Sequence, residues 1–588
     1  MDNIRLISSD QRIPLSDLSR HFKVIAGPGA GKTHWLVEHI KNVLQNAENL
    51  TYTSKIACIT YTTVGAEEVQ SRLGMNQERV EVSTIHSFLY ANVVKPYVYL
   101  LNDNHGKRLV NVEELDGHYE NIATNGKIYQ WKVKTRAHYL QDNKKLKEYL
   151  EQLDWKLVDG QLYLKPRKNY RIGKYYIRIE DLPLYKQLFW DEGVIHHEDV
   201  LYFSYRILKE FSIILEHLSA KYPYIFLDEF QDTNPIQTEI IKWLGNSGSV
   251  IGVVGDPAQS IYEFQGASRQ DFIDFTLPNQ IIYMIENNRR CGSKIVDFLN
   301  HIRKGDQLTQ KPTRENRNHD IYFIECTDGP YQAIANFNNL RISLGLEKDY
   351  CILTRNNDTV KLLRNTENSE VWTSFSEADS SNRERFIKSI LTAYKLTLDT
   401  RYEVAIKELE RSIKTDRHGE LKDPFQENQI ISPIMKRSLA VDLLEFLAND
   451  LKTSLDQSLF EFYNSLSDFF IEKGIAIKKI SRGKIKQFSE SITIRNLVDN
   501  LILSEEKTTE IRTIHKAKGA EFESVLLYLP EVKDVNLLVS PDINSEQEDT
   551  RILYVALSRA KDLLCISCPP LNDAMIKKLE ALNVKRNH

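Results

Sequence analysis

Cysteine is scarce. Six residues in 588, at positions 58, 291, 326, 351, 565 and 568, are too few for a disulfide framework and fit a reducing compartment, the cytoplasm. Cys565 and Cys568 are spaced as C-x-x-C, but they lie in Leu563-Leu564-Cys565-Ile566-Ser567-Cys568, which reads as a core strand. With no second pair and no His partner, the strand reading is taken over zinc. Long hydrophobic runs are missing too. Nothing approaches the roughly 18 apolar residues of a membrane span, and Met1-Asp2-Asn3-Ile4-Arg5 has no basic-then-apolar leader pattern, so no membrane partner is expected. Nor is there an excess of positive charge. At a net charge of −4, contact with nucleic acid has to come from local patches. What remains is an ordinary globular composition, 41% hydrophobic and 27% charged. The chain is too long for one core and is expected to form about four units.

The densest local signal is Ala26-Gly27-Pro28-Gly29-Ala30-Gly31-Lys32-Thr33. It follows Phe22-Lys23-Val24-Ile25, a buried-strand pattern, and precedes Trp35-Leu36-Val37-Glu38-His39-Ile40, a helical one. A glycine-rich turn between strand and helix aims backbone N–H groups at an anion, and the helix N-terminus adds its positive end. Lys32 is placed to reach the β- and γ-phosphates of ATP, and Thr33 to ligate Mg²⁺. The P-loop pattern has glycine where this chain has Ala26. Upstream, Gln11 has both a donor and an acceptor with which to read an adenine edge.

Other strands end in polar groups. Ile56-Ala57-Cys58-Ile59-Thr60 leads into Tyr61 and Thr62, and Val82-Ser83-Thr84 into Ile85 and His86. In open parallel sheets the C-terminal strand ends are where ligands bind. Tyr224-Ile225-Phe226-Leu227 delivers Asp228 and Glu229, a pairing suited to holding Mg²⁺ and to deprotonating an attacking water. Val250-Ile251-Gly252-Val253-Val254 delivers Gly255-Asp256-Pro257-Ala258-Gln259.

The segments AGPGAGKT, ITYTT, STIHSF, FLDEFQDT and GDPAQSIYEFQGA together resemble the UvrD/Rep/PcrA group of superfamily 1 helicases. Three later segments continue the series in the same order: Ile285-Glu286-Asn287-Asn288-Arg289-Arg290, then Arg512 to Phe522, then Arg551 to Ala560. The resemblance implies an α/β fold of two RecA-like parallel-sheet lobes, each with an inserted, largely helical accessory subdomain. Residues 1–95 and 201–280 would form the first lobe and 281–365 and 506–588 the second, with the insertions at 96–200 and 366–505. It also implies that Gln259 senses the γ-phosphate, that Arg290 contacts it, and that Arg559 is the arginine finger. Arg289 and Glu521 join the nucleotide-binding set. Arginines supplied from a second lobe stabilise the transferring charge only when the cleft closes, which would couple hydrolysis to lobe movement.

Single-stranded DNA needs a positive groove and aromatic faces. The resemblance implies Tyr61, Tyr262 and Phe264 as stacking faces, with polar contacts from Thr62, His86 and His515; for Tyr262, packing between the lobes is an equal alternative. Outside the motifs, Lys165 to Arg178 is rich in base and tyrosine and has no acid. Arg167, Lys168, Arg171 and Lys174 are its candidate DNA contacts, with Arg171-Ile172-Gly173-Lys174 closing a hairpin. A second basic run, Lys478 to Lys486, lies in the other insertion.

The chain departs from the family at identifiable places. Arg-Trp-Arg is usual after the third motif's tyrosine, and here Glu263-Phe264-Gln265 stands there. Arg289 occupies the position of an adenine-stacking aromatic, and a guanidinium also stacks on a base. His196-His197-Glu198-Asp199 admits a metal reading, but a helix start with acidic N-terminal charge is favoured.

The expectation is an ATP-driven translocase or helicase on single-stranded or tailed duplex DNA, with 3′-to-5′ polarity implied by the resemblance. The alternative, motivated by the compact length and the missing arginines, is a DNA-sensing, helicase-like NTPase that regulates a partner nuclease; any cleavage would come from that partner, since no nuclease motif is visible in the chain itself. Its compactness and its GDPxQSIY segment resemble the helicase-like subunits of Gabija-type anti-phage systems. A DNA-repair setting and a defence setting both fit the sequence. An inert P-loop module is disfavoured, since Lys32, Asp228, Glu229, Gln259, Arg290 and Arg559 are all present.

Overall fold

The longest apolar runs form two parallel sheets in the computed structural model. It describes residues 4–587 apart from 104, 116, 120, 122, 315–318, 328, 348, 364–368, 380, 399–400, 416–418, 427–428, 452–454 and 502–509. The first sheet contains β1 (Ile4–Leu6), β2 (Phe22–Ala26), β3 (Ile56–Thr60), β4 (Val80–Thr84), β5 (Tyr224–Leu227), β6 (Val250–Gly255) and β7 (Ile281–Ile285), in the order β1-β7-β2-β6-β5-β3-β4. Every pair in it is parallel, so the C-terminal ends of β2, β3, β4, β5 and β6 share one edge. These strands are near-continuous apolar runs because both faces are covered. On β6, a Cβ at Gly252 would lie 2.1 Å from the Phe22 ring, so glycine is what lets that aromatic fill the sheet's face.

The second sheet contains β8 (Ile321–Glu325), β9 (Tyr350–Thr354), β10 (Ile511–Thr513), β11 (Phe522–Tyr528), β12 (Ala560–Cys568) and β13 (Val584–Asn587), ordered β10-β9-β11-β12-β8-β13. Cys565 and Cys568 are buried on β12, as a core strand requires. Two parallel sheets, each with its own buried core, are the two-lobed architecture expected. One boundary differs. Ile281–Ile285 pairs with Phe22–Ala26 and so completes the first sheet rather than beginning the second lobe; an apolar run fixes a strand but not the sheet it joins. The expected boundaries 366 and 505 lie outside the described residues.

The first insertion carries the helices Asn125–Thr135, Asn143–Glu151, Leu182–Trp190 and His197–Glu210. It also has one antiparallel hairpin, Leu153–Val158 with Gln161–Pro166. The ribbon therefore lies earlier than expected, turning at Asp159 and Gly160, both at positive φ. At 171–174 there is only a tight turn, with a single bridge between Ile172 and Tyr175. His196 caps the helix His197–Glu210, and its backbone N–H donates to Asp199 at 3.0 Å. Asp199 is fully buried, accepts the indole N–H groups of Trp155 and Trp190 (3.1 Å each), and faces Lys186 at 3.1 Å. Burial alone would raise its carboxyl, but Lys186 and His196 hold it well below the usual range. The segment starts a helix, as expected; among the described residues no group of three or more His, Cys, Asp or Glu side chains is placed to hold a metal ion.

Residues Asn357–Ile511 form a separate unit. It is built on the helices Arg383–Leu398, Tyr402–Ser412, Pro433–Asp450 and Leu459–Glu472 around a core including Phe386, Leu443, Phe462 and Phe470. The capping box of Ser458 and Glu461 starts its last long helix. Among the described residues, no helix is long and apolar enough to cross a membrane.

Candidate nucleotide and DNA site

β2 ends at Ala26 and the helix Lys32–Asn46 begins six residues later. Gly29 (φ 71°) and Gly31 (φ 81°) take left-handed conformations in between, which L-side chains resist. Gly31 caps the helix with no side-chain acceptor, so the first helical amides remain available to an anion. Lys32 is buried and lies 3.8 Å from Glu229 Oε1. The Thr33 hydroxyl donates to Asp228 Oδ2 at 3.0 Å. An uncapped helix start, a buried lysine and a hydroxyl–carboxylate pair form a donor set that fits a magnesium–nucleoside triphosphate.

Glu229 sits at φ 52°, a strained position for a non-glycine residue, at the tip delivered by β5. Burial raises the Asp228 carboxyl, and the neighbouring Glu229 adds to that. Glu229 itself is held low: burial would raise it, but Lys32, Lys518 and Gln231 outweigh that. The two adjacent carboxyls are thus pushed in opposite directions. Asp232 is pushed up to about 7 by burial, partly offset by Lys518.

The second sheet's elements reach this tip directly. Arg559, 2% exposed, donates through Nη2 to Gln259 Oε1 at 3.2 Å, and to the carbonyls of Val555 (3.0 Å) and Ala520 (3.1 Å). Arg290 pairs with Glu521 at 2.7 Å and donates to Ser558 O at 3.2 Å. Lys561 also faces Glu521, at 3.1 Å. The Arg289 backbone N–H donates to Gly29 O at 2.8 Å, while its guanidinium pairs with Asp10. Gln11 accepts from the Ser8 backbone N–H at 2.8 Å. All six residues expected to act on phosphate are brought together. Gln11 and Arg289 lie at the rim, engaged with near neighbours.

Lys518 was not singled out from the sequence, although it stands inside the fifth motif. Its ammonium donates to Asp232 Oδ2 (2.5 Å) and Gln259 O (2.7 Å), and lies 4.8 Å from the Tyr262 ring centroid. Glu263, where the family usually has arginine, accepts from Arg551 Nη2 at 2.5 Å. Arg551 is 1% exposed and also donates to Ser260 O. The acid thus neutralises a buried guanidinium of the sixth motif. Replacing Glu263 with the family's arginine is expected to lower the thermal midpoint, by a loss of about 2–3 kcal/mol, and to reduce turnover. Differential scanning fluorimetry beside an ATPase assay checks this, and an unchanged midpoint refutes the pairing's importance.

The aromatic candidates form one cluster. Tyr61 stacks on Tyr262 (centroids 5.2 Å, interplanar 21°), and the Tyr262 hydroxyl donates to His515 O at 3.3 Å. Phe264 packs edge-on to His515 at 5.3 Å yet remains 53% exposed. Thr62 spends its hydroxyl as the cap of the next helix, accepting from Gly65 N–H. His86 is half-buried beside His118 and His197, and burial together with those rings pushes it down to about 4. In the first insertion, Arg167 is committed to Asp154 (2.7 Å) and Glu198 (3.6 Å). Lys168, Arg171 and Lys174 are exposed and have no ion-pair partner among the described residues. Arg171 covers the Tyr176 ring at 5.0 Å.

Two family models match successive parts of the chain. Residues 7–278 match the UvrD/REP helicase N-terminal domain, and residues 277–569 match the UvrD-like helicase C-terminal domain. The chain is similar to a probable DNA helicase II homolog of Mycoplasma genitalium, 26% identical over 95% of this chain and 84% of that one. It is similar to ATP-dependent DNA helicase Rep of Buchnera aphidicola, 23% identical over 93% and 90%. It is also similar to Gabija protein GajB of Bacillus cereus, 24% identical over 92% of each chain.

Proposed function

The chain belongs to the UvrD/Rep helicase family, and from that premise we propose that it hydrolyses ATP between its two lobes and couples this to movement along single-stranded DNA, 3′ to 5′. The observation that carries the reading is the hydrogen bond from Arg559, beside the second sheet, to Gln259 at the tip of the first. A residue that touches the γ-phosphate and a finger that stabilises its transfer are then linked by one contact, so separating the lobes removes the finger from the site.

In this reading the P-loop amides and Lys32 bind the phosphates, and Thr33 and Asp228 hold magnesium. Bound there, the metal would supply charge neutralisation to the transferring phosphate. Glu229 remains ionised at neutral pH, because Lys32 and Lys518 favour its charge, and accepts the proton of the attacking water. Arg290 and Arg559 face the developing charge. Lys518 ties the base's neighbour Asp232 to the Gln259 backbone and to the Tyr262 ring, so the aromatic cluster and the hydrolytic centre share one ammonium.

ATP turnover is expected to rise severalfold or more with single-stranded DNA, and a 3′-tailed duplex is expected to open. No stimulation by any nucleic acid overturns the reading. Phe264, exposed beside the stacked tyrosines, is the face offered to a base. Phe264→Ala is expected to weaken single-strand affinity by about 1–3 kcal/mol, whatever the sequence; fluorescence anisotropy with two unrelated oligonucleotides checks it, and unchanged affinity removes Phe264 from the interface.

The end-to-end similarity to a protein named Gabija protein GajB supports a second reading, in which the same cycle reports DNA to a partner nuclease in an anti-phage setting. Co-purification with a nuclease encoded beside this chain, and DNA cleavage that depends on Glu229, support it. Processive unwinding by the chain alone, with no such partner, favours the translocase reading.

A further inference from the structure

We infer that Arg303 and Gln310, which lie outside every motif of the helicase series, are positioning residues through which the second lobe holds Gln259 and the P-loop in working register. This rests on the reading that the chain hydrolyses ATP at that site.

Arg303 follows the helix Ser293–Ile302, whose apolar face belongs to the second sheet's core. The residue is 2% exposed, and its guanidinium forks onto Asp256 at the tip of β6. Nη2 reaches Oδ1 at 3.2 Å and Nη1 reaches Oδ2 at 3.5 Å. Nη1 also donates to the Tyr554 hydroxyl at 2.7 Å, and Nε to Asp306 at 3.1 Å. Asp256 in turn accepts from Gln259 Nε2 at 2.9 Å. A carboxylate can only accept, so it takes the NH₂ end of the Gln259 amide and leaves Oε1 for Arg559. Which way the Gln259 amide faces is therefore decided by Asp256, and the position of Asp256 by Arg303. Moving the second lobe moves that fork.

Gln310 makes the matching contact on the P-loop. Its Nε2 donates to Pro28 O at 2.9 Å, and its Oε1 accepts from Asn288 (3.4 Å) and the Tyr554 hydroxyl (3.5 Å). Asn300 clamps the Gln310 backbone in both directions, at 2.9 and 2.8 Å. The Tyr554 hydroxyl thus joins the two residues. A Cβ at Gly27 would lie 2.4 Å from Gln310 Nε2 and 3.2 Å from Arg303 Nη1. Gly27 does not take a left-handed conformation; its missing side chain is the space that the Gln310 amide occupies.

The test measures DNA-stimulated ATPase kinetics on the full chain for Arg303→Lys, Gln310→Ala, Gly27→Ala and the Gly27→Ala/Gln310→Ala double variant, with thermal midpoints recorded beside them. Arg303→Lys keeps the buried charge and loses the fork. It is expected to lower kcat roughly ten- to hundredfold with KM for ATP within about twofold and the midpoint nearly unchanged. Gln310→Ala and Gly27→Ala are each expected to raise KM severalfold, and most of the Gly27→Ala effect is expected to disappear once Gln310 is alanine, leaving only the closer approach to Arg303 Nη1 at 3.2 Å. Wild-type kcat in Arg303→Lys, or effects of Gly27→Ala and Gln310→Ala that simply multiply, overturn the inference while leaving the ATPase reading intact. A wild-type chain that hydrolyses no ATP removes both.

Discussion

Glu229→Gln is expected to cut ATP turnover about 10³-fold while leaving nucleotide affinity within a few-fold and the thermal midpoint close to that of the unaltered chain. The amide matches the carboxylate in shape, so it can still face Lys32 at 3.8 Å and Gln231, and the strained backbone at φ 52° is undisturbed. What it loses is the capacity to take a proton. In the native chain that capacity is set by burial, which opposes ionisation, and by Lys32, Lys518, Gln231 and Arg559, which together favour it more strongly. The variant is thus a nearly silent change in packing and a large one in chemistry. Phosphate release with saturating single-stranded DNA, beside equilibrium binding of a fluorescent ATP analogue, separates the two. Retained turnover transfers the role of base to another group.

Arg559→Ala is expected to be at least as severe in turnover, about 10³-fold or more. Arg559 is buried and held at four points: Val555 O, Ala520 O, Ser558 Oγ and Gln259 Oε1. Burial, with Arg290 nearby, pulls its guanidinium downward and Glu229 opposes that; at neutral pH it stays charged. Lysine keeps a charge but not the planar fork that bonds Gln259 and the carbonyls together, so Arg559→Lys is expected to stay within about tenfold of the alanine variant. Nucleotide binding should persist in both, because the P-loop contacts are on the other lobe. Near-native turnover in either folded variant rules out Arg559 as the finger.

Glu229 is legible from its local pattern, whereas Arg559 is legible only through the resemblance of its segment to the family's sixth motif. Gly29, Gly31 and Lys32 announce a phosphate cradle because glycine takes positive φ values such as those found there without strain, and Asp228 and Glu229 announce a strand tip because they end a run of four buried apolar residues. The hairpin position was not legible: Asp159-Gly160 and Gly173 are both turn signals, and the partner strand decides which one closes a ribbon. Nor could the sequence say that Arg167 would be spent on Asp154, or that Glu263 would neutralise Arg551 some 290 positions away (|i−j| = 288). An unpaired charge in a string of letters has no address.

Local chemistry in the sequence, meaning apolar runs, glycine turns and carboxylates at strand ends, pointed to the P-loop and to Asp228 and Glu229, while the two lobes and the expected roles of Gln259, Arg290 and Arg559 rested on the resemblance to the helicase family. Only the tertiary structure decided how those residues are held. Ile281–Ile285 joins the first sheet, Tyr61 and Tyr262 stack on each other, and Lys518, Arg303 and Gln310 reach into the site from the second lobe. All of those contacts but Arg303–Asp256, 47 positions apart, join residues 200 or more positions apart in sequence, and no local pattern records which side chain a closed cleft will bring to Gln259 or Pro28.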